Sequence, residues 1–393
     1  MFSLSRFQAL MNQVPRETFR QAVMTHEADK HCKGFSCWRQ LQVMVYAQLS
    51  GASSLRTVTA GFNAHASHHY HLDACTVKRS TLADANRTTG PEVFAELVQA
   101  LMCRVQRKVR RDIKPLLHLL DSTSITLKGR GFDDWTFATR SNRTQGLKLH
   151  VLYAGEQQAP CWSAFSEANV NDIDVARDRL TLQAERRYVF DKGYCDYTWW
   201  HAIDAAGAWF VTRFKRNAAV QVSEVRPIPE ADRDGILADE VVRFTHRHNR
   251  AGHTNPYEAP LRRVIVHRPD HATPLVLATN DLDSPAQVIA EQYKARWGIE
   301  LFFKWIKQHL RLTRFLGRSE NAVKIQILTA LIAYLLVVLY RHTLAPGQSL
   351  WACLTILRAS LFQRPYLEAH HRAVHRRRRR QADALARQAE MAV

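Results

Sequence analysis

Apolar residues recur at more than one period along this chain, and the change of period divides it. Behind Ser36, a good N-cap, Leu41, Met44, Val45 and Leu49 fall at helical spacing, which predicts a helix between Phe35 and Leu49. Ser53 to Phe62 reads as a second, shorter helix. A polar loop carrying His65, His68, His69 and His71 follows, and Lys78 to Arg87 reads as a third helix capped by Ser80. Residues 1 to about 92 are therefore expected to be all-helical. The next helix, 93 to 110, ends in Arg104, Arg107, Lys108, Arg110 and Arg111.

Beyond Pro115 the pattern turns to short apolar runs between turn residues. Leu116 to Leu120, Leu147 to Tyr153 and Ala159 to Phe165 read as strands. Asp172 then begins a helix over Ile173 to Glu185, and Arg187 to Phe190 is a strand ending at Asp191. Tyr197 to Ala206 is a helix closed by Gly207, and Trp209 to Phe214 returns as a strand. Three strands, a helix, a strand, a helix and a strand is the order of a ribonuclease-H-like core, a likeness of fold that carries no function by itself. Residues 215 to 283 interrupt the pattern, with strand candidates near Val241 to His246, Arg262 to His267 and Pro274 to Ala278. From Ser284, a cap before Pro285, one long helix is expected to about Leu310, and another over Asn321 to His342. The expected organisation is α/β. An all-α domain that resembles a helix-turn-helix DNA-binding domain covers 1–92, a basic linker helix 93–114 and the first part of the core 115–214. A β-rich insertion covers 215–283, the second part of the core 284–345 and a basic tail 346–393.

Charge narrows the partner. Lys and Arg number 55 against 36 Asp and Glu, a formal net charge of +19, which favours a polyanion, nucleic acid before an acidic membrane surface. The start of the chain has no apolar signal core, and the run Ile327 to Tyr340 is shorter than the roughly 20 residues that cross a bilayer, so a cytoplasmic protein with a buried helix is expected. Seven scattered cysteines fit reduced thiols. Cys32 and Cys37 with His31 have no second ligand pair at zinc-finger spacing and read as structural thiols. The run of arginines from 376 to 380 reads as a solvated segment that adds nonspecific phosphate contacts if DNA is the partner.

Three acids stand out by position. Asp121 follows one apolar strand and Asp191 another, where a sheet commonly presents ligands or catalytic groups, although each alone also reads as a turn aspartate. On a continuous helix, Tyr293, Arg296, Glu300 and Lys307 share a sector of roughly 60°, with Ile299, Leu301, Phe302, Trp305 and Ile306 on the other side. In the expected order of elements the three carboxylates can converge, and an all-oxygen set selects hard cations such as Mg²⁺ or Mn²⁺. Two such ions suit in-line displacement at phosphorus, either cleavage or strand transfer. In the N-terminal domain, Lys78, Arg79, Ser80 and Thr81 fit the start of a helix entering a DNA groove, or an ordinary helical hairpin with a solvated basic end.

Tyr293-x2-Arg296-x3-Glu300-x6-Lys307 resembles the Y-R-E-K signature of the DDE transposases of bacterial insertion sequences, in the group typified by insertion sequence 4. Leu120-Asp-Ser-Thr and Asp191-Lys-Gly-Tyr resemble the blocks that hold that family's two aspartates. Phe35-Ser-Cys-Trp, the Gln48 to Arg56 stretch and Arg79 to Asn86 resemble a DNA-binding module of one branch. The resemblance implies a catalytic and metal-binding triad of Asp121, Asp191 and Glu300 that holds two divalent cations, Mg²⁺ with Mn²⁺ as substitute. Tyr293, Arg296 and Lys307 would grip phosphates. It implies terminal inverted repeats and target DNA as double-stranded partners, a homodimer in a synaptic complex, and a nucleoid-associated bacterial protein. Some members stack a flipped base on a tryptophan of the insertion. Residues 215 to 283 have none, leaving Phe244, Tyr257, Trp199, Trp200 and Trp209 as aromatic candidates. A DNA-binding protein with an inactive core and a stand-alone nuclease are the alternatives.

Overall fold

The computed structural model describes residues 4–109, 117–138, 145–215, 218–245, 254–310, 312 and 314–363. Arg110, Arg111, Pro115, Leu116 and the arginine run of the tail lie outside the described residues. Two compact units emerge, 1–101 with 309–393, and 102–308. This division differs from the linear expectation: residues 309 to 345 group with the N-terminal helices, the segment expected as a tail begins with a packed helix, Leu350–Ser360, in that same unit, and 102–109 group with the sheet.

The cause is the Glu320–Leu344 helix. It has the length and hydropathy of a membrane span, yet 94% of its apolar window is buried within the protein. Its neighbours are the Cys37–Ser50, Arg79–Thr88 and Leu350–Ser360 helices, whose apolar residues it covers. Leu41, Met44, Val45 and Leu49 are fully buried as their spacing requires, and Ser36 caps their helix through the Arg39 amide. Two buried side-chain bonds tie this unit together: Gln48 donates to the Gln326 carbonyl at 3.1 Å and Gln40 to Asn86 at 2.8 Å. The histidine segment is helical rather than a loop, with a 3-10 turn over Ala66–His68 and a short helix over His69–Leu72. His69 turns inward to the Phe62 carbonyl at 3.0 Å, which ties the segment down. Ser80 lies in the first turn of its helix, and Lys78 is the N-cap residue.

The second unit is a mixed α/β body built on one ten-stranded sheet. Its strands are β1 Leu117–Thr126, β2 Phe137–Ala138, β3 Gln145–Ala154, β4 Ala159–Glu167 and β5 Arg187–Phe190. They continue with β6 Trp209–Arg213, β7 Val220–Val225, β8 Ile236–Phe244, β9 Leu261–Val266 and β10 Leu275–Thr279. The spatial order is β2-β3-β1-β5-β6-β10-β9-β8-β7, with β4 also on β3. β4, β3 and β1 are antiparallel, whereas β1, β5 and β6 are parallel. Parallel neighbours need crossovers, which the Asp172–Arg179 and Tyr197–Ala205 helices supply. One face of the sheet buries an aromatic core in which Phe190 meets Trp199 and Trp200 meets Phe210, each pair at 4.8 Å. Trp199, Trp200 and Tyr257 are thereby enclosed, Phe244 packs on Tyr197 at 4.4 Å, and Trp209 supports the Arg187 guanidinium at 4.8 Å.

Four local differences from the sequence expectation bear on the site. β1 runs on to Thr126, because Thr123 and Ile125 alternate inward as it pairs with β3, so Asp121 stands within the strand. The Asp172–Arg179 helix is short, with Asn171 at its N-cap. The expected long helix is two, Ala286–Ala295 and Trp297–His309, turned at Arg296 by successive i→i−3 bonds from the Arg296 and Ile299 amides. Leu301, expected inside, is half exposed.

The strands of this segment, β7 to β10, do not leave the sheet; β10 pairs with β6 and extends it. A buried ionic knot holds that extension to the start of the next helix. Arg262 grips Asp239 with two bonds of 2.7 and 2.6 Å, and it also reaches the Ser284 carbonyl. Asp281, beside it, takes the Asp283 and Ser284 amides and the Arg187 guanidinium. Burial pushes the Asp281 carboxyl up, but these donors outweigh it and hold the group below the ordinary carboxylate range. Arg262→Ala leaves Asp239 buried and unpaired, and is expected to cost about 3–5 kcal/mol in denaturant unfolding. Replacing both partners by apolar residues of similar size is expected to recover most of that loss.

Candidate active site

The site rests on sheet register. Leu120 pairs with Phe190 at the end of the parallel β1–β5 ladder, so the next residues, Asp121 and Asp191, leave that ladder side by side. Asp121 lies opposite Val151 of β3, on the face where Tyr153 packs against Phe302 of the Trp297–His309 helix at 5.1 Å. That contact and the buried Ile299 and Ile306 seat the helix on the sheet. Gly298, with no side chain, lets it approach Leu119; a Cβ there would stand 3.3 Å from Leu119 Cδ1.

Glu300 is thereby turned toward the two aspartates, with Arg296 between. The Arg296 guanidinium hydrogen-bonds Glu300 and lies 3.7 Å from Asp121 Oδ2. Burial would lower the Arg296 pKa, but the Glu300 hydrogen bond and the surrounding negative charge hold it above its usual value. Asp121 behaves oppositely. Desolvation lifts its carboxyl to about 6, and the charges of Asp191 and Glu300 add to the rise, against the Ser122 amide and Arg296. Asp121 is therefore close enough to Asp191 and to Glu300 to feel the charge of each.

Backbone amides fix the two aspartates. The Ser122 amide donates to Asp121 Oδ1 at 2.8 Å, and the Gly193 amide to Asp191 Oδ1 at 2.7 Å. Residue 193 has to be glycine for this, since a Cβ would stand 2.8 Å from the same oxygen. Tyr293 lies with its ring 6.0 Å from the Arg296 guanidinium carbon, and burial raises its hydroxyl pKa against the influence of Arg296 and Arg213. Lys307 donates to the Ser124 carbonyl on β1 at 3.2 Å, and burial lowers its pKa. All six residues of the acidic and Y-R-E-K set thus lie in one unit around the end of the β1–β5 ladder.

Lys78, Arg79, Ser80 and Thr81 belong to the other unit. They open the Arg79–Thr88 helix, the first three exposed, and Lys78 and Thr81 line a cleft of about 730 Å³ with Lys30, His31 and Lys33.

Sequence reasoning missed a polar chain behind the aspartates. Ser122 donates to Asp172 at 2.8 Å, and Lys148 binds the same carboxylate at 2.9 Å and the Val170 carbonyl at 2.8 Å. His150 next to it bonds Ser166 at 2.8 Å, and burial lowers its pKa to about 4. The available signal was Lys148 and His150 alternating with Leu147, Leu149 and Val151 in an otherwise apolar strand.

Among the described residues, no three His, Cys, Asp or Glu side chains already stand in metal-holding geometry. The chemistry nevertheless suits a hard cation, because the donors are all carboxylate oxygens and a guanidinium, itself a cation, lies between two of them.

Residues 114–336 match the family described as Transposase DDE domain, and residues 3–74 match a Domain of unknown function (DUF4372). The chain is 42% identical over 257 residues to a putative transposase, y4zB, of Sinorhizobium fredii, covering 65% of this chain and 69% of that one. It is 27% identical over 267 residues to a probable transposase for insertion sequence element IS5377 of Geobacillus stearothermophilus, covering 65% and 66%. A cryo-EM structure of a piggyBac transposase synaptic complex with hairpin DNA aligns with a TM-score of 0.47 at 11% identity, over 90% of this chain and 77% of that one.

The raised Asp121 carboxyl has a stability signature. Metal-free folded protein keeps this proton up to about pH 6, whereas the ordinary value is 3.8. The folded state therefore binds the extra proton between those values, and stability falls as pH rises through that window. Asp121→Asn removes the titration and is expected to gain on the order of 2 kcal/mol over wild type at pH 7, with no gain below about pH 4. Thermal unfolding across pH checks this; parallel wild-type and variant profiles contradict it.

Proposed function

The chain belongs to the DDE transposase family, and from that footing we propose that Asp121, Asp191 and Glu300 are its catalytic carboxylates, acting on the terminal inverted repeats of an insertion sequence of the insertion sequence 4 type. The observation that carries this reading is the ladder ending at Leu120 and Phe190, which leaves two aspartates adjacent with Glu300 linked to them through Arg296. The strand order β4-β3-β1-β5-β6, antiparallel then parallel with helical crossovers, supports a ribonuclease-H-like core.

The three carboxylates would hold two divalent cations, Mg²⁺ or Mn²⁺. Bound there, the ions supply activation of the attacking oxygen and neutralisation of the leaving oxygen in an in-line displacement. In the first reaction a water oxygen bonds to phosphorus as the P–O3′ bond breaks, giving a free 3′-hydroxyl and a 5′-phosphate. In the second, that 3′-hydroxyl attacks a target phosphodiester and releases the target's own 3′-oxygen. Within this scheme the Ser122 and Gly193 amides orient the two aspartates. Arg296, which now bridges Glu300 and Asp121, would bind a phosphate of the DNA, and Tyr293 and Lys307 would line the same backbone. The exposed Lys78, Arg79 and Ser80, with Thr81, would bind the repeat, in a homodimer that pairs two ends.

Labelled duplexes carrying the element's terminal repeats test the reading. Wild type is expected to nick at the repeat boundary only with Mg²⁺ or Mn²⁺, and Glu300→Ala to abolish nicking while retaining binding. Binding without cleavage under either metal would instead support a DNA-binding protein with an inactive core, and cutting indifferent to sequence a nuclease. For the N-terminal contacts, Lys78→Ala is expected to lower the slope of log affinity against log salt by about 0.9, one phosphate contact. An unchanged slope removes Lys78 from the interface.

A further inference from the structure

The motif Asp191-Lys-Gly-Tyr194 ends in a residue that the proposed chemistry leaves unused. Tyr194 is 1% exposed, packed among Leu120, Phe190 and Trp199 on the sheet face opposite Asp121. Its hydroxyl makes no well-aligned hydrogen bond but lies close enough to Ser122 to interact with it, and it feels the charges of Asp172, Asp121 and Asp191. A core of aromatic rings would be better served by phenylalanine, because a buried hydroxyl without a well-aligned hydrogen bond is destabilising. A polar atom kept there at that cost points to a use in another state of the site.

Its surroundings indicate the use. Tyr194 directly follows Gly193, whose amide holds Asp191, and its hydroxyl lies close to Ser122, whose amide holds Asp121. Ser122 is itself fixed from behind by Asp172, and Asp172 by Lys148. One buried residue is therefore linked to both amide-bearing residues that aim the aspartates, to Gly193 along the chain and to Ser122 through its side chain.

We infer that Tyr194, backed by the Ser122–Asp172–Lys148 chain, is a positioning residue that holds Asp121 and Asp191 in register for a divalent cation. The inference rests on the proposed metal-binding role of those aspartates. Groups behind a metal ligand orient it and commonly alter metal affinity by 10–100-fold. Tyr194 touches neither substrate nor the reacting atoms; it acts through the amides of Gly193 and Ser122.

The test is Mn²⁺ binding to the full chain, followed by electron paramagnetic resonance, beside metal-free thermal unfolding. Tyr194→Phe removes only the hydroxyl oxygen, so its metal-free Tm is expected to equal or exceed that of wild type, while its Mn²⁺ affinity falls about tenfold. The Mn²⁺ midpoint for nicking is expected to rise in parallel. Ser122→Ala should follow the same pattern in metal affinity, and Ser122→Thr, which keeps the hydroxyl, should restore it. A Tyr194→Phe protein with lower Tm but wild-type Mn²⁺ affinity would make Tyr194 a packing residue and overturn the inference, as would a variant unchanged in both. Wild type that binds no Mn²⁺ would overturn the metal reading of the aspartates and this inference together.

Discussion

Burial of Asp121 beside two further carboxylates is the constraint around which the catalytic unit is arranged. Asp121 is driven toward its neutral form by burial and by its two acidic neighbours, and Arg296 meets that charge from the helix side. Such a cluster lowers stability unless a cation offsets it. The fold accepts that cost at one place and invests rigidity around it: backbone amides orient the aspartates, and an apolar helix face seats Glu300. In the proposed scheme, the guanidinium that now bridges Glu300 and Asp121 would be the group to contact a phosphate.

Rigidity around the site comes from both directions along the sheet. On one side, antiparallel β3 and β4 extend β1 past Asp121 and prevent the aspartate from fraying with a strand end. On the other, the strand extension is fastened by Arg262 and Asp239 to the loop where Asp281 holds the Asp283 and Ser284 amides ahead of the next helix. The helix pair bearing Tyr293, Arg296 and Glu300 thus starts from a buried ionic anchor and ends with Lys307 bonded back to β1. The turn at Arg296 lets its backbone leave one helix while its side chain reaches two carboxylates.

Much of this was legible in the sequence because it depends on local pattern. Strand cores such as Arg187 to Phe190, the Ser36 cap and the interior helix near residue 330 follow from residue period and propensity. The acids were legible because each sits beside an apolar run, and the charge of +19 narrowed the partner before any geometry was known. What escaped was nonlocal. Ser122 to Thr126 has turn-like composition and becomes strand only by pairing with β3. The break at Arg296 interrupts a periodicity that continues smoothly through it. Lys148 and Asp172, 24 residues apart, meet only in the folded sheet, and so does Tyr194 with Ser122.

In the proposed scheme these carboxylates would hold divalent cations, and the Arg296 guanidinium a phosphate, when DNA is engaged. Anomalous scattering from crystals of the chain bound to terminal-repeat DNA and soaked in Mn²⁺ tests this. Manganese peaks ligated by Asp121, Asp191 and Glu300 are expected, with the Arg296 guanidinium on a DNA phosphate. Arg296 still bridging Asp121 and Glu300, with manganese bound elsewhere, would contradict it.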